Sequence, residues 1–427
     1  MNIRPLLILQ APSAFISGGY YRWYKLLEYG KSEDIDYVVV TDSLSYQNYI
    51  RMFPRFKEVS RDYKTYVIDL HEIRFFPSSV SRVLKVFKPY WDAFSLAISI
   101  SKVARKENVD LIVGPSEGPQ RVWTSYFSGK TSNKPWTSVF QGERFLFKPT
   151  PKLGPINPIN VLAHVSHKEF ARNISLSSKL GYAMELLGLL KIAEKSLMLT
   201  VGRSLSDELK FLNPKIEFHV IFPGNGIDLE KFNKKSKLTP LYDAVFFSRF
   251  VPEKGVFDLL EIWKIVTQKF SNAKLAVAGI IEDVKVLEDF KKLIHRYSLA
   301  RNVVFLGQKD HDSIIDLVKS SKIAIYPSLL DVFSLTVLES LACGVPVVAY
   351  DIPAIKYNFH DCKAVLRSPA KNTARMARNV IFLLENEELI NELSKEARKY
   401  ASNFDWKKVV KAEKEAYLKV IEWSNSC

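Results

Sequence analysis

The chain has 427 residues, more than one hydrophobic core usually serves, so two domains are expected. With 47% hydrophobic and 25% charged residues it has an ordinary globular profile, and no apolar run approaches the roughly 18–20 residues that span a bilayer. The net charge of +15 is uneven: residues 1–240 hold 34 Lys and Arg against 22 Asp and Glu, a surplus of 12, and residues 241–427 hold 27 against 24, a surplus of 3.

A basic N-terminal half fits an anionic partner, such as nucleic acid, a phosphate-bearing acceptor or an acidic membrane face, and equally a plain solvated surface. Cys343, Cys362 and Cys427 have neither metal-ligand spacing nor a disulfide pattern, so a reducing cytoplasm is expected. The N-terminus lacks a signal-peptide pattern and reads as a strand, Ile3–Leu9. Ser17-Gly18-Gly19 follows it and precedes a helix containing Tyr20–Tyr29. A glycine pair permits close backbone approach to a ligand, or simply a turn. There is no G-x-G-x-x-G pattern here, which argues against a nicotinamide enzyme.

Further strands are predicted at Tyr37–Thr41, Tyr66–Leu70, Leu111–Val113 and Trp136–Phe140, with a long helical stretch over Val80–Asn108 broken at Pro89. Asp34-Ile35-Asp36 reads as a solvated turn; it has no supporting ligands for a metal. His164 and His167 lie three apart but lack acidic neighbours, so no metal site is expected. Within Phe145–Ser196, a lysine-flanked apolar segment carries Leu180, Met184, Leu187, Leu190 and Ile192. It suits either an anionic membrane face or a helix packed on its own domain.

The next predicted strand is Phe218–Phe222, followed by the turn Pro223-Gly224-Asn225-Gly226-Ile227-Asp228 and a linker within Lys231–Leu241. From there strands and helices alternate cleanly. Tyr242–Ser248, Lys274–Ala278, Val303–Leu306 and Ile323–Pro327 read as strands, and Val256–Phe270, Val284–Tyr297 and Asp312–Ser320 as helices. This order predicts a parallel sheet covered on both faces. A last helix is expected over Trp406–Trp423.

Two stretches in this half carry chemistry. In SRFVPEKGVFDLL, residues 248–260, Arg249 and Lys254 flank a proline-bearing turn between a strand and a helix. Such a pair can converge on a diphosphate, Arg as a bidentate fork and Lys as a point charge. In IAIYPSLLDVFSLTVLESLACGVPVVAY, residues 323–350, Ser334 is a good N-cap for a helix closed by Gly344 and Pro346. Asp331 precedes that helix and Glu339 follows eight residues later, inside it. A helix N-terminus at the end of a parallel strand favours anions, while two flanking carboxylates suit sugar or ribose hydroxyls.

These stretches resemble retaining GT-B glycosyltransferases of family 4, the glycosyl transferases group 1. LESLACGVPVVA and R-x-x-P-x-K-G match closely over roughly residues 200–425, and the first 200 residues match weakly. The resemblance implies an α/β fold of two Rossmann-like domains whose parallel sheets face a central cleft. It places an acceptor-side domain at 1–235, a donor-binding domain at 236–403, and a helix at 404–427 that returns to the first domain. It implies a metal-independent, hexosyltransferase-like reaction with a nucleotide-diphosphate sugar as co-substrate and no other cofactor. Arg249 and Lys254 would hold the diphosphate and Asp331 would contact the donor sugar. The stretch Phe333, Ser334 and Leu335 would add helix N–H groups, and Glu339 would hold the ribose. Gly18 and Gly19 match the family's glycine loop, and Gln308 lies where the nucleobase usually packs.

Two positions depart from the family. Its first acid is normally Glu followed by Gly; here Asp331 precedes Val332. The strand Trp136–Phe140 usually ends in a histidine, and here ends in Gln141, which can position a hydroxyl but not shuttle protons. The expected function is glycosyl transfer to a glycan or lipid-linked acceptor, in the cytoplasm or peripherally at the inner membrane face, with nucleic acid not expected as a partner. A nucleotide-sugar 2-epimerase and a non-catalytic sugar-nucleotide-binding partner are the alternatives.

Overall fold

The computed structural model describes residues 2–11, 18–68, 88–115, 119–141, 186–233 and 240–426. The chain divides into two units, residues 1–224 with 406–427, and residues 225–405. The expected break at residue 235 lies later than this division. Residues 225–233 go with the second unit, because Ile227 bridges Asp405 and Phe232 is buried in that unit's core.

The first unit holds seven parallel strands in the order β3-β2-β1-β4-β5-β6-β7. They are β1 (Pro5–Leu9), β2 (Val38–Thr41), β3 (Lys64–Val67), β4 (Leu111–Gly114), β5 (Trp136–Phe140), β6 (Met198–Thr200) and β7 (Phe218–Val220). The central strands β1, β2, β4 and β5 are buried at every position and mostly apolar, the pattern of a sheet covered on both faces. The main helices are α1 (Gly18–Gly30), α2 (Ser43–Met52), α3 (Phe56–Arg61), α4 (Lys88–Lys106), α5 (Pro119–Ser132) and α6 (Arg203–Leu212).

A further helix over residues 186–193 favours, for the described part of the lysine-flanked segment, a helix packed on its own domain over one on a membrane face. Leu186, Leu189, Leu190 and Ile192 are buried in the first unit's core, and Leu187 packs against it. The apolar side of this helix is therefore spent inside the protein. Leu180 and Met184 lie outside the described residues, as do His164, His167 and Cys427.

The second unit is a six-stranded parallel sheet in the order β10-β9-β8-β11-β12-β13. Its strands are β8 (Tyr242–Phe247), β9 (Leu275–Ala278), β10 (Val303–Gly307), β11 (Ser321–Tyr326), β12 (Val347–Tyr350) and β13 (Val365–Ser368). Its helices are α7 (Leu229–Asn233), α8 (Val256–Lys269), α9 (Val284–Arg296), α10 (His311–Lys319), α11 (Leu335–Ala342), α12 (Pro353–Asn358), α13 (Thr373–Leu384) and α14 (Glu387–Ala401). This is the doubly wound order, in which the direction of winding reverses between β8 and β11. Ligands of such sheets bind beyond the carboxyl ends of the strands at that reversal.

The last helix, α15 (Trp406–Ser426), belongs to the first unit. Its anchor is an ion pair between Arg22 of α1 and Glu413, both fully buried. Arg22 Nε also donates to the Gly224 carbonyl at 2.6 Å. Buried charges must be paired, so this contact binds the two ends of the chain into one unit.

Candidate functional site

The two chemistry-bearing stretches meet at the reversal of the second sheet. After β8 the chain makes one tight turn, Pro252–Lys254, and Gly255 opens α8 at φ +74°. Two facts require glycine there. Positive φ strains an L side chain, and a Cβ would lie 2.0 Å from the Pro327 carbonyl oxygen. The turn after β8 thus sits backbone to backbone against the loop after β11, fixed by the Leu329 N–H donating to the Glu253 carbonyl at 2.8 Å.

This contact delivers Lys254 to Asp331. Its ammonium lies 3.0 Å from Asp331 Oδ2 and 3.1 Å from the Leu330 carbonyl, and its side chain is only 9% exposed. Asp331 is engaged further: Oδ2 also accepts from the Tyr326 hydroxyl, and Oδ1 from the Val332 N–H at 3.0 Å. Burial, and then the neighbouring Asp331 charge, push the Tyr326 hydroxyl well above the usual tyrosine range. It stays protonated and acts as a donor.

Arg249 faces elsewhere. It is half exposed, and its guanidinium lies 3.4 Å from Glu282 in the loop after β9. The two cations share one turn but are held by different carboxylates, which the sequence pattern does not show.

Beyond Asp331, α11 starts as its sequence predicts. Ser334 Oγ accepts from the Val337 N–H at 3.2 Å. That hydroxyl is fully buried, and the Phe333 ring is buried against Phe359 and Phe404. Both side chains serve the fold, so what this stretch can offer a ligand is backbone. The first N–H groups of a helix have no intrahelical acceptor, which leaves those around half-buried Leu335 and Thr336 as anion donors. Glu339, on the second turn of α11, accepts from His311 Nε2 at 3.0 Å. Gln308 is exposed in the loop that leads from β10 to His311.

In the first unit, Gly18 and Gly19 are the first residues of α1 and not a loop before it. Strand β1 adjoins both β2 and β4, so α1 begins near that sheet's own reversal. Gln141 is half-buried just past β5, and its Nε2 donates to the Pro115 carbonyl at 3.2 Å. The same carbonyl accepts from Trp23 Nε1 at 3.1 Å. Asn225 is buried at the start of the second unit. Among the described residues, no three His, Cys, Asp or Glu side chains converge as metal ligands.

Sequence reasoning missed Tyr326, His311, Lys231 and Glu282. Tyr326 reads as one more apolar strand residue, and the others lie on three separate loops or helices with no motif to mark them.

Residues 228–400 match the family model of glycosyl transferases group 1. That range contains the turn after β8, the loop after β11 and α11. The chain is 24% identical over 174 residues to an uncharacterized glycosyltransferase of Methanocaldococcus jannaschii, covering 41% of this chain and 47% of that one. The chain spans about half the length of the curated relatives it matches. Among solved structures, a glycosyltransferase from Rickettsia africae superimposes with a TM-score of 0.69 at 17% identity, covering 99% of both chains. An Anabaena protein, HepE, solved in complex with UDP-glucose, superimposes at 0.65 with 14% identity, covering 98% of this chain and all of that one. The two parallel-sheet units are those of the GT-B fold.

Proposed function

We propose that this chain is a glycosyltransferase whose second unit binds a nucleoside-diphosphate sugar and transfers the sugar with retention and without a metal. The observation that carries the reading is the placement of Lys254. An ammonium is held almost out of solvent at the carboxyl ends of β8 and β11, in the region matched by the family model. Burying a lysine is costly, and a position at the reversal of a doubly wound sheet gives that cost a purpose. The likeness to a structure that contains UDP-glucose supports a nucleoside diphosphate as the anion.

In this reading the sugar–phosphate bond breaks while a bond to an acceptor hydroxyl oxygen forms on the same face. The leaving phosphate oxygen takes the acceptor proton. Negative charge grows on the diphosphate, and Lys254, Arg249 and the first N–H groups of α11 stabilise it, which is electrostatic catalysis. Arg249 exchanges Glu282 for phosphate when the donor binds. Asp331 acts by holding Lys254, and Glu339 takes the ribose. The surplus of 12 positive charges in residues 1–240 supports an acceptor that is anionic, such as a phosphorylated or lipid-linked glycan at the inner membrane face.

The test is transfer and hydrolysis by the purified full chain with a panel of nucleotide sugars. One donor should turn over, and Lys254→Ala should abolish most of that turnover. Turnover unchanged by Lys254→Ala would overturn this placement of the phosphates.

A further inference from the structure

Glu339 does not stand alone. His311, the first residue of α10, donates from Nε2 to Glu339 Oε1 at 3.0 Å. On the far side of the ring, Nδ1 lies 3.1 Å from the Lys231 ammonium of α7. Lys231 also pairs with Asp312 Oδ1 at 2.5 Å. The Phe232 ring meets the imidazole edge to face, with centroids 6.0 Å apart.

A lysine ammonium has only donors. It can bond Nδ1 only if that nitrogen carries a lone pair, so the imidazole is the neutral tautomer with its proton on Nε2. That proton is the one Glu339 Oε1 accepts. Lys231, itself braced by Asp312, thereby selects the tautomer, and the tautomer fixes the carboxylate. All four residues lie in the second unit but on three helices, α7, α10 and α11, so no local motif joins them.

We infer that His311 is a positioning residue: with Lys231 behind it, it holds one oxygen of Glu339 so that the other is presented to the ribose hydroxyls of the donor. The inference rests on the assignment of Glu339 to the ribose made above. A free glutamate explores several rotamers, and each non-competent one lowers the apparent affinity in proportion to its population. The relay removes that loss before the donor arrives.

The experiment compares UDP, ADP and GDP with their 2′,3′-dideoxy forms, by calorimetry on the full chain. At least one ribonucleotide should bind the wild type more tightly than its dideoxy form. His311→Ala should weaken that ribonucleotide about tenfold, as expected if the competent rotamer falls to roughly a tenth of the population. Its dideoxy form should be nearly unaffected, so the preference for the ribose collapses. His311→Gln, whose amide can donate to Glu339, should recover most of the preference, and Lys231→Met should lose part of it. A merely structural role for His311 would weaken both nucleotides together. If the wild type binds none of the three, or binds ribo and dideoxy forms equally, the donor assignment itself fails. If the wild type prefers the ribose and His311→Ala keeps that preference undiminished, the donor assignment stands and the relay is wrong.

Discussion

Asp331 accepts from the Tyr326 hydroxyl, the Lys254 ammonium and the Val332 N–H, and so has little capacity left for a sugar hydroxyl. Its short side chain suits this inward role. Asp331→Asn should therefore lower turnover mainly through Lys254, which loses its counter-charge. A donor panel should show reduced turnover without a changed sugar preference. Lys254→Ala and Arg249→Ala should each lower turnover by about two to four orders of magnitude, the scale of losing a transition-state donor. Steady-state kinetics on a verified donor checks all three. Gly255 carries a different risk. Alanine there would take a positive φ and push into the Pro327 carbonyl. The left-handed conformation alone costs roughly 1–2 kcal/mol, and the displaced loop should cost activity as well. Unfolding and turnover measured together should both report the loss.

At the scale of elements, the pairing of α1 with α15 depends on one buried ion pair. Removing one partner leaves an uncompensated charge, so Arg22→Leu or Glu413→Leu should each destabilise the first unit by about 3–5 kcal/mol. The double replacement should cost clearly less than the sum, and denaturant unfolding of the four variants measures this coupling. A second charged cluster ties β3 to the end of α4. Glu107, 4% exposed, meets Lys64 at 2.7 Å and Arg4 at 2.9 Å and accepts from the Tyr66 hydroxyl at 2.5 Å. The hydrogen bond from Lys64, then that from Tyr66, hold its carboxyl below the usual glutamate range. A depressed acid stabilises the fold above its unfolded pKa of about 4.3, and that contribution fades as pH falls through the folded value. Glu107→Gln should weaken the protein near neutral pH and flatten its acid-unfolding limb, which thermal melts across the acid range would record.

For the whole molecule, the uneven charge makes its own prediction. If the first unit meets an anionic acceptor at a bilayer, co-sedimentation should favour anionic over neutral vesicles and fall steeply with salt, since each surface cation contributes about 1 kcal/mol and is screened. Equal recovery with both vesicle types, or none with either, removes the membrane from the reading. The core position of Leu186, Leu189, Leu190 and Ile192 already removes one apolar face from it. Transfer should survive excess EDTA, because cations and helix N–H groups supply the positive charge in the proposed site. Loss with EDTA and rescue by a divalent ion would replace that site with a metal one.

The alternation of strands and helices after residue 240 was legible in the sequence because hydrophobic period and turn residues are local properties. So were the Ser334 cap and the turn of residues 248–255, which depend on neighbours within a few positions. Strands β6 and β13 were missed, because strands of three or four residues with two apolar positions each give no period to read. Strand order, and so the reversal between β8 and β11, depends on pairings between distant segments. The same holds for the partners of the charged groups. Local sequence presents Arg249 and Lys254 as a pair, Asp331 as a sugar contact and Glu339 as a lone acid. Only the folded chain sets Arg249 against Glu282, Lys254 and Tyr326 against Asp331, and His311 and Lys231 behind Glu339. Residue types set which groups can bond, whereas a hydrogen bond needs two groups within about 3 Å, and across a sequence separation of 77 only the tertiary fold supplies that distance.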